Sequence, residues 1–146
     1  MKMDAPEMRK RLRGGRVARL GTVGPDGRPH LVPCVFVLEP ETIYTPIDHK
    51  PKRSRRLQRL KNIEANPAAT VLVDHYSEIW DECWWVSSRG KARILEGGDE
   101  FERARRLLIA RYDQYTDPAQ IHPVIAIDID EWVGWQGKDV EEVQGG

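Results

Sequence analysis

Between Asp48 and Glu64 the chain carries no acidic residue and seven cations, Lys50, Lys52, Arg53, Arg55, Arg56, Arg59 and Lys61. Side chains of this kind, crowded together, bind an anion: arginine through a planar two-pronged fork, lysine as a point charge. The chain as a whole is balanced, with 23 Lys+Arg against 23 Asp+Glu, so the cluster does not reflect a general affinity for polyanions. Leu57, Leu60 and Ile63 recur at helical spacing, Ser54 is available as an N-cap, and Asn66-Pro67 stops the pattern. This predicts a helix that opens inside the cationic run. Cations at a helix N-terminus oppose its dipole, a conflict that a bound phosphate would remove by using backbone N–H groups and side chains together. The plainer alternative is a solvated basic helix face, although such faces ordinarily mix their signs.

Other reactive side chains are scattered. Cys34 and Cys83 have no CxxC partner and read as small core hydrophobes, so neither a disulfide framework nor a zinc cluster is expected. The four histidines, His30, His49, His75 and His122, contain no pair at helical ligand spacing with a third ligand nearby, and no metal site is expected. No nucleophile, base and orienting acid stand together as a triad, so no catalytic residue is assigned. Glu78, Asp81 and Glu82 read as a solvated loop.

The elements that must position these groups fit one domain spanning residues 1–146. Asp4, Pro6 and Glu7 open a short helix with Met8 and Leu12 on one face and Gly14-Gly15 at its end. Val17 to Val23 reads as a strand, Pro25-Asp26-Gly27 as a tight turn, and His30 to Leu38 as the returning strand. Glu39-Pro40-Glu41 reverses the chain into Thr42 to Thr45, completing a three-stranded antiparallel meander before the cationic helix. Strands follow at Ala69 to Asp74, at Trp84 to Leu95 with Gly90 as a bulge, and at Val124 to Ile129, the last with one buried face and one less buried. Asp99 to Tyr112 is helical, with Phe101, Ala104, Leu108 and Tyr112 inward. Six or so mostly antiparallel strands with inserted helices form a small closed or split barrel, filled by its own side chains, so a ligand binds outside it. No secretory signal or membrane-length apolar run is visible, and a cytoplasmic protein is expected.

The order of motifs resembles the pyridoxamine-phosphate-oxidase-like split barrels, the superfamily of flavin and deazaflavin oxidoreductases. The matching pieces are Arg19-Leu20-Gly21-Thr22-Val23, Asp26-Gly27-Arg28-Pro29-His30-Leu31-Val32-Pro33, Ile43-Tyr44-Thr45, the basic helix through Asn62 to Asn66-Pro67, Val71-Leu72-Val73-Asp74, and Trp85 to Leu95 around Gly90. His49-Lys50-Pro51-Lys52, Leu60-Lys61-Asn62-Ile63 and Trp84-Trp85 are similar to the actinobacterial branch that uses the deazaflavin F420 instead of FMN. The resemblance implies a mainly β split barrel of six to seven antiparallel strands, a homodimer with two cofactor sites along its interface, and hydride transfer with a conjugated small molecule. It places the cofactor against Lys50, Lys52, Arg55, Arg59, Lys61, Asn62 and Thr45, with the ring along Leu31-Val32-Pro33. His30, Trp85, Trp132 and Trp135 are the candidates for substrate contact or ring stacking, while Trp80 is expected in a loop covering a barrel end. Two departures matter. Gln58-Arg59 stands where pyridoxamine phosphate oxidases have Arg-Lys, and no Arg-x-His element occurs near residue 146, so F420 is favoured over FMN and pyridoxamine phosphate oxidation is not expected.

Two other classes compete. A nucleic-acid-binding barrel would use the basic helix, but neutral overall charge and aromatic residues not interleaved along a strand platform argue against it. A non-catalytic flavin or tetrapyrrole carrier would keep the fold and lose the reaction. Substrate choice is expected to lie in the loops His75 to Cys83 and Asp113 to His122.

Overall fold

A computed structural model describes residues 3–48 and 57–138. Helix α1 (Ala5–Gly14) starts as expected, with the Asp4 carboxylate accepting from the Glu7 N–H at 2.9 Å and Met8 and Leu12 buried. Strands β1 (Ala18–Val23) and β2 (Pro29–Cys34) form a hairpin whose turn uses Gly27 at φ 81°, a conformation suited to glycine. Then come β3 (Val37–Leu38), β4 (Thr42–Asp48), α2 (Gln58–Ala65), β5 (Ala68–His75), β6 (Trp84–Leu95), α3 (Asp99–Arg111) and β7 (Ile121–Gln136). Every pairing is antiparallel, in the order β2-β1-β5-β6-β7-β4-β3. The expected seven-stranded split barrel with inserted helices is formed.

Three local expectations are corrected. His30 to Leu38 is not one strand: β2 stops at Cys34, and β3 resumes at Val37 on the opposite edge of the sheet, paired with β4. The meander is therefore broken at Val35-Phe36. There the Phe36 N–H donates to the Tyr112 hydroxyl at 3.1 Å and Arg111 donates to the Phe36 carbonyl at 2.7 Å. Backbone groups satisfied by α3 side chains need no ladder partner. Secondly, α2 begins at Gln58, with Leu57 at the N-cap position and no side-chain cap; Ser54 lies outside the described residues. Finally, β7 is buried on both faces between Val124 and Ile127.

That double burial follows from two cores. Ile125 and Ile127 point into the barrel with Leu20, Val71 and Val86, while Val124 and Ala126 point outward against Phe101, Ala104 and Leu108 of α3. Opposite Gly90 the β7 strand holds one extra residue, Asp130, so that Arg89 pairs with Glu131 and Gly90 with Ile129. The bulge resets the alternation. Beyond it, Trp132 and Gly134 face the barrel interior, where Gly134 meets Met3 and Met8, and Val133 and Trp135 face outward. Helix α3 covers only one half of the outer sheet surface. On the other half the register puts Leu31, Gly21, Leu72, Ser87, Trp85, Val133 and Trp135 on one outer face, beyond the part of the sheet that α3 packs against.

Arg93 secures the start of α3. Its guanidinium donates to both Glu100 oxygens at 2.9 and 3.0 Å and to both Asp128 oxygens at 2.7 and 3.0 Å, and Tyr44 adds a hydroxyl donor to Glu100 at 2.7 Å. Hydrogen bonds from Arg93, then Tyr44, hold the Glu100 carboxyl at about 2 against an ordinary 4.5, and Arg93 holds Asp128 low as well. A depressed carboxyl contributes stability above its unfolded value and loses it as pH falls towards the folded one. The Glu100→Gln protein is therefore expected to lose about 1 kcal/mol at neutral pH, modest because these side chains are more than a third in water. Its stability by urea denaturation is expected to vary less than wild type between pH 4.5 and 2.

Gly90 is held by proximity, since a Cβ there would lie 1.9 Å from the Asp128 carbonyl oxygen, a backbone atom that cannot swing aside. Gly90→Ala is expected to cost about 3 kcal/mol in the same assay.

Candidate functional site

The cationic segment leaves the sheet at Asp48 and rejoins described structure at Leu57, and both residues stand on the wall of one cavity of about 510 Å³. Pro33 and Cys34 at the end of β2, Arg59 on α2, and Gln114 and Tyr115 after α3 complete most of its lining. Lys50, Lys52 and Arg55, like His49, lie outside the described residues. Arg59 is thus the cation of the expected set that the described structure places on this wall. Lys61 is exposed and absent from that lining, because residues two apart on a helix diverge.

Asn62 is buried for a different purpose. It accepts from Gln58 Nε2 at 2.7 Å and donates to Thr22 Oγ1 at 3.1 Å, tying α2 to β1. Thr45 is also enclosed, its hydroxyl donating to the Val35 carbonyl at 2.8 Å, and neither it nor Asn62 is on the lining of the Arg59 cavity. Burial pushes the Cys34 thiol up, with Thr45, Arg59 and Arg19 opposing. That thiol is protonated at neutral pH.

Tyr115 is the wall residue that sequence reasoning did not single out. It is buried and donates to Asp48 at 2.7 Å, and burial first, then Asp48, pushes its phenol up to about 12. The bond fixes the point where β4 releases the basic segment. No spacing pattern announces it, because Asp48 and Tyr115 are 67 residues apart.

Along β2 the strand alternation separates residues that the sequence grouped together. Leu31, 69 % exposed, and Pro33 lie on the outer face, and Val32 packs against the inner core. His30 shares Val32's parity and borders a separate crevice of about 530 Å³ with Gly24, Asp26, Gln58 and Asn62, its Nδ1 buried without a hydrogen-bond partner. The structure does not bring His30 to the Leu31 and Pro33 face. Trp85 and Trp135 are directly paired on the outer surface, and Trp80, in a one-turn 3-10 helix, meets Trp135 edge-on at 5.1 Å. Trp132 is on the inner side of the bulge, donating to Glu41 at 3.1 Å under the Arg9 guanidinium, and is not grouped with the other two. Among the described residues no cluster of three metal-ligating side chains occurs, and no helix is long and apolar enough to cross a membrane.

The arrangement offers a cation at one end, an exposed apolar strand beside it, and paired indoles farther along the same sheet surface. It suits a flat, apolar molecule with an anionic handle.

A family model described as Pyridoxamine 5'-phosphate oxidase matches residues 5–136. No curated protein matches the sequence significantly. Among solved structures, a conserved hypothetical protein from Mycobacterium tuberculosis superposes with a TM-score of 0.76 at 23% identity, covering 93% of this chain and 86% of that one. An FAD-binding protein from Mesorhizobium loti gives 0.63 at 23% identity, over 92% and 95% of the two chains. The heme storage protein HutZ from Vibrio cholerae gives 0.70 at 17% identity, over 91% and 96%.

Asn62 being a structural tie, Asn62→Ala is expected to cost about 1 to 2 kcal/mol, by leaving the buried Thr22 hydroxyl without its partner, and to leave ligand affinity of the folded protein unchanged. Thermal unfolding and ligand titration of the same preparation check both halves.

Proposed function

The chain belongs to the pyridoxamine 5'-phosphate oxidase family, and from that premise we propose that it is an oxidoreductase binding a flavin-type cofactor, the deazaflavin F420 with FMN as the alternative, and exchanging hydride with a conjugated small molecule. The observation that carries this reading is Arg59 on a cavity wall shared with Pro33, with both described ends of the cationic segment at its rim. The fused ring of such a cofactor supplies the hydride chemistry, and the protein binds, orients and excludes water.

The residues present fit that group. Arg59 offers its fork to a phosphate, and Lys50, Lys52 and Arg55 add charge from the adjoining segment. Leu31 and Pro33 give an apolar platform that needs no particular polar group. Trp85 and Trp135 supply flat surfaces for a conjugated substrate. Solvent is the proton source in this reading, because His30 has the opposite strand parity.

Exposed apolar side chains support a homodimer, since Leu31 on the edge strand together with Ile79 and Trp80 are surface that a second copy would bury. A non-catalytic carrier is a second reading, since the fold is similar to that of a heme storage protein.

Parallel fluorescence titrations with F420 and FMN test the cofactor, with F420 expected to bind more tightly; equal or stronger FMN binding reverses that choice. Arg59→Ala is expected to weaken either cofactor by about 1 to 3 kcal/mol. Unchanged affinity would move the site away from this cavity. Sedimentation should give a dimer that Leu31→Asp converts to monomer. Loaded protein that is reduced yet passes hydride to no quinone, enone or tetrapyrrole would favour the carrier.

A further inference from the structure

The cavity that holds Arg59 also carries an acid. Among its described lining residues Arg59 is the one cation and Asp48 the one carboxylate, and the others are apolar or uncharged. A carboxylate on the wall of an anion site works against the ligand. Asp48 is nevertheless held there, since the buried Tyr115 hydroxyl donates to its Oδ1 at 2.7 Å and its backbone pairs with Ile121 of β7. It is also the acid that closes off the cationic run, at the point where β4 ends.

Repulsion between a fixed carboxylate and a bound anion grows in proportion to the anion's charge. Asp48 therefore reads charge. A phosphomonoester carries about −1.5 to −2 at pH 7, its second proton leaving near pH 6, whereas a phosphodiester has only one ionising oxygen. Cations alone would favour the more highly charged ester, and one acid among them opposes that preference. Asp48 is exposed, so its effect passes through a high dielectric and amounts to about threefold in affinity for each ligand charge.

We propose that Asp48, held in place by Tyr115, is a specificity-determining residue that lowers the cavity's affinity for a doubly charged phosphomonoester relative to a singly charged phosphodiester. This rests on the cofactor reading above, because FMN ends in a monoester and F420 carries its phosphate as a diester. Tyr115 is a positioning residue, acting through Asp48.

The test titrates intact wild type, Asp48→Asn, Tyr115→Phe and the double variant with FMN and with F420, at pH 8 and pH 5.5 and constant ionic strength. Asn keeps an oxygen to accept from Tyr115, so the fold is expected to survive, which thermal unfolding checks. At pH 8, Asp48→Asn is expected to raise FMN affinity about tenfold and F420 affinity about threefold. At pH 5.5 the gain for FMN shrinks towards that for F420, because the monoester has taken up its second proton. Cys34 and Tyr115 on the same wall stay uncharged over this range, and His49, next in sequence, is common to both proteins and cancels in the ratio. Tyr115→Phe is expected to give part of the FMN gain in wild type and none when Asp48 is already Asn. Equal gains for the two cofactors, an FMN gain independent of pH, or no gain overturns the selective role and leaves the cofactor reading standing. A Tyr115→Phe effect that persists in the Asp48→Asn background overturns the positioning role. Binding of neither cofactor by any of the four proteins overturns the cofactor reading and this inference with it.

Discussion

The close contact between Gly90 and the backbone of β7 is the constraint on which the architecture depends. Two strands can approach so nearly only because one carries no side chain at that point, and the extra residue Asp130 is accommodated there. Without that insertion the alternation of β7 would continue unbroken. Trp132 would then turn outward, and Gly134 could not admit Met3 and Met8 to close the barrel beside α1. One unpaired residue thus decides which indoles belong to the core and which to the surface.

The same change of parity divides the outside of the sheet. Before the bulge, β7 sends Val124 and Ala126 into a second core beneath α3; beyond it, Val133 and Trp135 occupy a surface that α3 does not reach. Structural burial and exposed apolar surface are therefore adjacent parts of the same two strands. The Arg93 cluster fixes where one gives way to the other by holding Glu100 of α3 to Asp128 of β7.

Much of this was legible from the chain. The Asp4 cap, the Gly27 turn, the Gly90 bulge and the inward stripe of α3 all follow from local chemistry, and the motif order points to the split barrel. The break at Phe36 was not legible, since Val35-Phe36-Val37 has continuous strand character and its satisfying groups arrive from Arg111 and Tyr112. Grouping His30 with Leu31 to Pro33 overlooked a signal that was present, because neighbouring strand residues point to opposite sides. Asn62 and Thr45 were read as cofactor contacts from motif position, and the bonds they make to Gln58, Thr22 and Val35 have no local signature. The pairing of Tyr115 with Asp48 had no local signature.

The handover of the chain from β2 to β3 gives α3 a reach beyond its own core. Its C-terminal side chains grip Phe36, and the residues just past it, Gln114 and Tyr115, share a wall with Pro33, Cys34 and Val35. A tilt of that helix would be transmitted at both places at once. The cavity's shape is tied to a helix whose far end is anchored by Arg93, so a charge altered at that remote fastening would bear on the cavity wall.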